Sequence, residues 1–297
     1  MSAIPQTIAM QTLQASARRS RRGVKTRIIV PLVVIGSFVL GAILIPILYN
    51  YDPLRVNLVA RLLPPGSTLQ DGSIALLGTD AVGQDLLAQI MAGTRVSLIV
   101  GTLTLVFAGL VGIVLGMLSG WFGGKLDTVL MRIADVQLAF PAILFAILIA
   151  SVLGQGLLNV IIVLSIANWV TIARVVRAQV LTLKNREYVE AARTLGAGNL
   201  HIMLRTLLPG AMAPILVILS VEFGQVILAE AALSFLGVGV PLGTPSLGAT
   251  ISAGTAHLTT AWWISTFPGI VLLILVLATS ILGDAIRDRS DPRLRSA

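Results

Sequence analysis

Residues 96–124 read VSLIVGTLTLVFAGLVGIVLGMLSGWFGG and carry no Asp, Glu, Lys or Arg. A helix crosses the hydrocarbon core of a bilayer in about 20 residues, so this run holds one membrane span. Residues 28–51, 136–173 and 231–283 are equally free of charge. The first of these holds one span. The second has Gly154-Gln155-Gly156 in its middle and reads as two spans joined by a tight turn. The third is too long for one span, and Gly237, Gly239, Pro241, Gly243, Thr244, Pro245 and Ser246 cluster within it as turn formers. It reads as the end of one span, a loop near 236–261 and a final span near 262–282. The penultimate span then begins near Ala211 and runs through Glu222 and Glu230. Six spans are expected. They are helices, because backbone groups in lipid must be bonded within the segment and the alternation of a barrel strand is absent.

Composition agrees. Of 297 residues, 56% are hydrophobic, 11% charged and 5% aromatic, and the mean hydropathy is +0.94. A soluble domain carries about 25% charged residues, so a cytosolic enzyme and a disordered chain are excluded. With no cysteine, a disulfide framework and a thiolate metal site are excluded too.

The net charge of +8 is distributed as a membrane protein distributes it. With the N-terminus inside, the tail before the first span holds six basic residues, the loop after the second span Lys125 and Arg132, the loop after the fourth span six, and the C-terminal tail four. Only Arg55, Arg61 and Arg95 fall outside. This is the positive-inside bias, and it places both termini in the cytoplasm; nucleic acid is not expected as a partner. The polar stretch 1–27 and the apolar run after it are too long for a secretory signal and lack an A-x-A site, so an anchor that stays is expected.

Two segments are not spans. Residues 51–93 form the longest external stretch, where Leu86, Leu87, Ile90 and Met91 recur at helical spacing. They read either as a short amphipathic helix on the membrane surface or as part of a spacer loop. Residues 184–209 are cytoplasmic by charge. Tyr188, Ala191, Ala192 and Leu195 share one helical face, and Leu200, Met203, Leu204 and Leu207 another. Gly196 sits where a left-handed residue ends the first helix, Asn199 where the second is capped, and Pro209 where it stops or kinks. Two short helices with an elbow are marginal alone; they dock on a partner or pack against the membrane and this protein's own helix ends.

At these residues the chain resembles a known family. Glu190-Ala191-Ala192, Gly196 and Leu208-Pro209 resemble the EAA motif of ABC importer permeases, with Thr206 where that pattern has Ile. Leu77-Gly78-Thr79-Asp80 with Gly83-Gln84-Asp85, then Ala232-Leu233-Ser234-Phe235-Leu236-Gly237-Val238-Gly239, then Leu282-Gly283-Asp284 with Asp291-Pro292-Arg293-Leu294-Arg295, are similar to segments of the C-type permease of dipeptide, oligopeptide and nickel importers. The resemblance implies a type I importer permease of six transmembrane helices in a bacterial inner membrane. It implies a second homologous permease, two cytoplasmic ATP-binding subunits and an external solute-binding protein as partners. Glu190, Ala191, Ala192, Gly196, Leu208 and Pro209 would then couple the ATPases to the spans. The organisation expected is a cytoplasmic tail 1–27, a first span 28–50, an external loop 51–94 with its short helix, a five-helix core 95–283 that includes the coupling helices 184–209, and a cytoplasmic tail 284–297.

This chain is not expected to be an enzyme or to hold a cofactor. A phosphate-binding loop needs G-x-x-x-x-G-K-[ST], but Gly124-Lys125 is followed by Leu126 and Ser119 stands where the first Gly belongs, so ATP and Mg would act on the partner ATPases. His201 and His257 lack companions at metal-ligand spacing. Glu222 and Glu230 lie roughly 18 and 30 Å into the fifth span; they face a pathway or brace neighbouring helices. Gly112, Gly116 and Gly120 form a small-residue face for close helix packing. Trp262-Trp263 read as an interfacial belt, and Arg174 and Arg177 as charge anchors. The alternative function is a self-contained, ion-coupled secondary transporter, which calls for inverted repeats that this sequence does not display.

Overall fold

The computed structural model describes residues 28–44, 55–69, 72–241 and 243–290. The basic tail 1–27, the end of the first expected span, and residues 291–295 of the resemblance lie outside the described residues. Helix α1 spans Ile28–Leu44 and is apolar. Helix α2, Leu86–Phe122, starts at Asp85, whose Oδ1 accepts the Ala88 amide at 2.8 Å. Burial raises the Asp85 carboxyl above the usual carboxylate range, and the Ala88 and Leu87 amides pull it back. At 1.5 Å per residue α2 is about 55 Å long, well beyond the bilayer core of about 30 Å. Its length corrects one expectation. Leu86, Leu87, Ile90 and Met91 are not a surface helix but the first turns of α2, and Leu86 and Ile90 are buried with Leu247, Trp263 and Ile264. Gly93 permits this: a Cβ there would lie 2.8 Å from the Leu247 amide nitrogen.

Helix α3, Gly124–Leu138, follows at once and bends by 91° into α4, Ala142–Leu153. Pro141 stands at the bend, where it disfavours helical backbone at the residue before it. Lys125 and Arg132 are therefore on a helix rather than in a loop. Helix α5, Leu157–Leu183, runs ten residues past the charge-free stretch. Its arginines do not end it, because Arg174 meets Asp135 at 2.6 Å and Arg177 meets Asp127 at 2.5 Å, both on α3. Gln137 adds a third rung, donating to the Ile166 and Ala167 carbonyls and accepting from Trp169 Nε1 at 3.0 Å.

The tightest seam joins α2 to α5. A Cβ on Gly112 would lie 2.8 Å from Ile172 Cβ, one on Gly116 2.5 Å from the Ala173 carbonyl oxygen, and one on Gly120 2.8 Å from Val180 Cβ. Bilayer lipid is as apolar as leucine, so close van der Waals contact is what holds such helices together.

Two short helices, α6 (Glu187–Thr194) and α7 (Asn199–Ile202), precede α8, Leu208–Phe235. A π-helical turn, Met203–Leu207, fuses α7 to α8, giving a continuous helix Asn199–Phe235. Pro209 does not stop it. The proline lies ten residues into this continuous helix, and the carbonyl its ring would meet, that of Arg205, falls in the widened π turn. The expected loop 236–261 contains α9, Leu247–Gly254, capped by Ser246 Oγ accepting the Ala249 amide at 3.1 Å. Helix α10, Trp263–Ser290, closes the described chain. Four helices, Leu86–Phe122, Leu157–Leu183, Asn199–Phe235 and Trp263–Asp288, are each long and apolar enough to cross a membrane, and the bent α3–α4 pair makes a fifth if it is one span.

Before α2 lies a small lobe. Strand β1 (Ser67–Thr68) pairs antiparallel with β2 (Ile74–Ala75), Ser67 opposite Ala75. Asp80 fastens it: Oδ1 accepts the Val82 and Gln84 amides at 3.0 and 2.8 Å, and Oδ2 accepts Gln89 Nε2 of α2 at 2.7 Å. Trp263 Nε1 donates to the Thr79 carbonyl at 3.2 Å, and its side chain is buried. Trp263 is thus a bolt between lobe and helix bundle rather than half of an aromatic belt; Trp262 beside it is half exposed.

Candidate functional site

The elbow between α5 and α8 has two unlike faces. Towards the bundle, Val189, Ile202, Met203 and Leu207 are buried against Met117, Trp121, Val176 and Val180. Away from it, Tyr188, Leu195, Leu200 and Leu204 are 46, 88, 68 and 50% exposed. Glu190 and Ala191 lie on the open side, while Ala192 is half-buried against the core. Gly196 has φ +84°, and nothing lies within 4 Å of where its Cβ would be. The left-handed turn alone calls for glycine there. The Ala197 amide returns to the Ala192 carbonyl at 3.0 Å, closing α6. Gly198, not Asn199, caps α7. Leu208 is half-buried, and Pro209 and Gly210 are exposed.

The elbow is gripped from behind. Lys184 Nζ donates to the Gly120 carbonyl at 3.0 Å, and the Arg193 guanidinium lies 4.5 Å from the centre of the Trp121 ring. Reading by residue type did not reveal these contacts, since they join positions far apart in sequence. The tryptophan at the end of α2 was the available signal.

The two intramembrane glutamates differ. Glu230 is fully buried; Ser97 Oγ of α2 donates to Oε2 at 2.6 Å and Ser234 Oγ to Oε1 at 2.8 Å. Glu222, 9% exposed, lies two turns beyond Ile215 and one turn before Val226, on the face of α8 that carries those core residues. The pair are not brought together: they sit eight residues apart on one helix, roughly 12 Å along its axis. Ser97→Ala is expected to leave the Glu230 carboxylate one donor short and to lower stability by about 1–3 kcal/mol. Thermal unfolding in detergent reads the effect, and an unshifted midpoint would remove the bond from the stability argument. Among the described residues no group of three or more His, Asp or Glu is placed to hold a metal ion.

Residues 112–296 match the family described as binding-protein-dependent transport system inner membrane component. The chain belongs to that family. This inner-membrane component is 39% identical over 257 residues to the di/tripeptide transport system permease protein of Pseudomonas aeruginosa (strain UCBPP-PA14), covering 86% of this chain and 84% of that one. It is 38% identical over 266 residues to the oligopeptide transport system permease protein of Bacillus subtilis (strain 168), covering 90% and 85%. In fold it is similar to a chain of the MetNI methionine ABC transporter in inward facing conformations, with a TM-score of 0.57 and 20% identity over 68% of this chain and 96% of that one. The protein is a multi-pass inner-membrane component of a binding-protein-dependent transport system.

Proposed function

We propose that this permease serves an ATP-driven importer of peptides or related small solutes. It forms the translocation pathway with a second homologous permease and couples ATPase closure to alternating access through residues 184–209. Two cytoplasmic ATP-binding subunits supply the power, and an external solute-binding protein delivers the solute. The basic residues on one side of the spans support a bacterial inner-membrane orientation with both termini cytoplasmic.

The observation that carries this reading is the outward face of the elbow. A chain that buries Val189, Ile202 and Leu207 completely leaves Leu195 at 88% exposure next to Leu200 and Leu204. These three leucines and Tyr188 would fill a cleft on each ATPase, with Glu190 at the edge. Ala191 permits close approach, and Leu208-Pro209 pass the movement to α8. Glu222, at mid-depth with no bonded partner among the described residues, is our candidate for a pathway group. Glu230, held by Ser97 and Ser234, is our candidate for a brace. No cofactor is assigned to this chain; ATP and Mg act on the ATPases.

The elbow is tested at Gly196. An L-residue in the left-handed region costs about 1–2 kcal/mol, and asparagine tolerates it better than a β-branched residue. In the complex reconstituted with partner permease and ATPases, Gly196→Val is expected to insert normally but to lose at least tenfold of the ATP hydrolysis stimulated by loaded binding protein. Gly196→Asn should keep more than half. Full stimulation in the valine variant would remove the elbow from the coupling path.

A further inference from the structure

The last turn of α2 holds more than its share of contacts. Three consecutive residues each grip a different element. Ser119 Oγ donates to Asp127 of α3, the Gly120 carbonyl accepts Lys184 Nζ at the start of the elbow, and the Trp121 ring lies under the Arg193 guanidinium near the end of α6. Asp127 is itself clasped bidentately by Arg177 of α5, Nε to Oδ1 at 2.5 Å and Nη2 to Oδ2 at 2.6 Å. Both roots of α6 are therefore fixed to one helical turn, and that turn is fixed to α3 and α5.

We propose that this turn is a register seat for the coupling elbow, with Asp127, Arg177, Trp121 and Arg193 as positioning residues that make elbow, α2 and α3 move as one body. The proposal rests on the reading that residues 184–209 dock on the ATPases. Its chemistry favours register over bulk stability. Arg193 is largely exposed, so its guanidinium stays hydrated over the buried Trp121 ring and adds little to the fold, yet its planar stacking fixes one orientation of α6 against Trp121. The bidentate Arg177–Asp127 pair fixes angle as well as distance. Val189 and Ile202, buried around Trp121, already supply the apolar adhesion; the charged contacts set where the elbow sits. From the seat, movement reaches the outer half of the bundle, because α2 carries Ser97 to Glu230 and its glycine face to α5.

The chain contains no cysteine, so an introduced thiol is its single maleimide site, read on this chain after the subunits are separated. Phe235, 40% exposed at the far end of α8, becomes the probe as Phe235→Cys. The complex with partner permease and ATPases is placed in lipid nanodiscs, and maleimide labelling is timed with and without MgATP. In the probe background ATP is expected to change the labelling rate. Arg193→Met and Asp127→Asn should shrink that change at least fivefold while ATPase subunits stay bound. Arg193→Lys, which keeps the cation but not the planar face, should recover less than half of the response. An undiminished response in both Arg193→Met and Asp127→Asn would overturn the seat. So would loss of ATPase binding in either variant, since those residues would then be holding the docking face itself. Failure of ATPases to bind the probe background would instead overturn the docking reading beneath it.

Discussion

Gly116→Leu is expected to drive α2 and α5 apart and to leave little folded protein in mild detergent, and Gly116→Ala to lower unfolding free energy by about 1–3 kcal/mol. A single methyl group is enough, because its carbon would sit 2.5 Å from the Ala173 carbonyl oxygen and 2.8 Å from Val176 Cβ. One neighbour is backbone and the other is the branched carbon of a buried valine, so neither can step aside. The helices must separate by about an ångström, and dispersion falls steeply over such a gap. The damage would spread to Gly112 and Gly120, one turn away on either side, whose contacts lie along the same seam. Gly109→Ala is the control: its Cβ would meet only Leu219 Cδ2, at 3.4 Å, the far end of a flexible side chain, so a change within about 0.5 kcal/mol is expected. Circular dichroism through an SDS titration measures both. Equal midpoints for Gly116→Ala and Gly109→Ala would show that the seam has slack.

Leu195→Asp is expected to weaken association with the ATPase subunits by about 30-fold or more, the loss typical of a single apolar anchor at an interface, while the permease itself folds and inserts as before. The separation of effects follows from exposure. Leu195 is 88% exposed and contributes almost nothing to the permease core, so an aspartate there remains in water until a partner arrives. Its carboxylate would then be desolvated at the centre of the contact without a counter-charge. Val189→Asp makes the contrast, since Val189 is fully buried and the same change should destabilise the chain before any partner is added. Co-purification and thermal unfolding, measured side by side, distinguish the two. Association unaffected by Leu195→Asp would move the docking face elsewhere.

The spans are legible in the sequence because charge is expensive in hydrocarbon, so absence of Asp, Glu, Lys and Arg marks them without reference to any partner. The left-handed turn at Gly196 is legible for a similarly local reason: helical spacing ends there and glycine follows. The places where reading stops short are those where a distant contact changes the local balance. Arg174 and Arg177 suggest the end of a helix, yet α5 continues because two aspartates of α3 wait opposite them. Pro209 suggests a break, yet a π turn ahead of it keeps the helix whole. Leu86–Met91 looks like a surface helix, yet Gly93 admits α9, and Leu86 and Ile90 are buried beside Leu247. Trp263 has the composition of an interfacial residue, and only the Thr79 carbonyl across 184 positions reveals it as a fastening. The outward leucines of α6 and α7 could be grouped into faces from spacing, but which face points to the bundle depends on Trp121 and Val180, which spacing does not supply.

The fusion of α7, the π turn and α8 has a mechanical consequence. Residues Asn199–Phe235 form one rod about 55 Å long at 1.5 Å per residue, with its foot in the elbow and its tip beyond Glu230. Were the foot to rock by 10°, Glu230 would sweep sideways by about 8 Å, far more than the 2.6 Å bond to Ser97 can stretch. The Ser97–Glu230 bond survives such a rock only if α2 swings with α8, so a body that unites elbow and α2 would tilt the two helices as a pair.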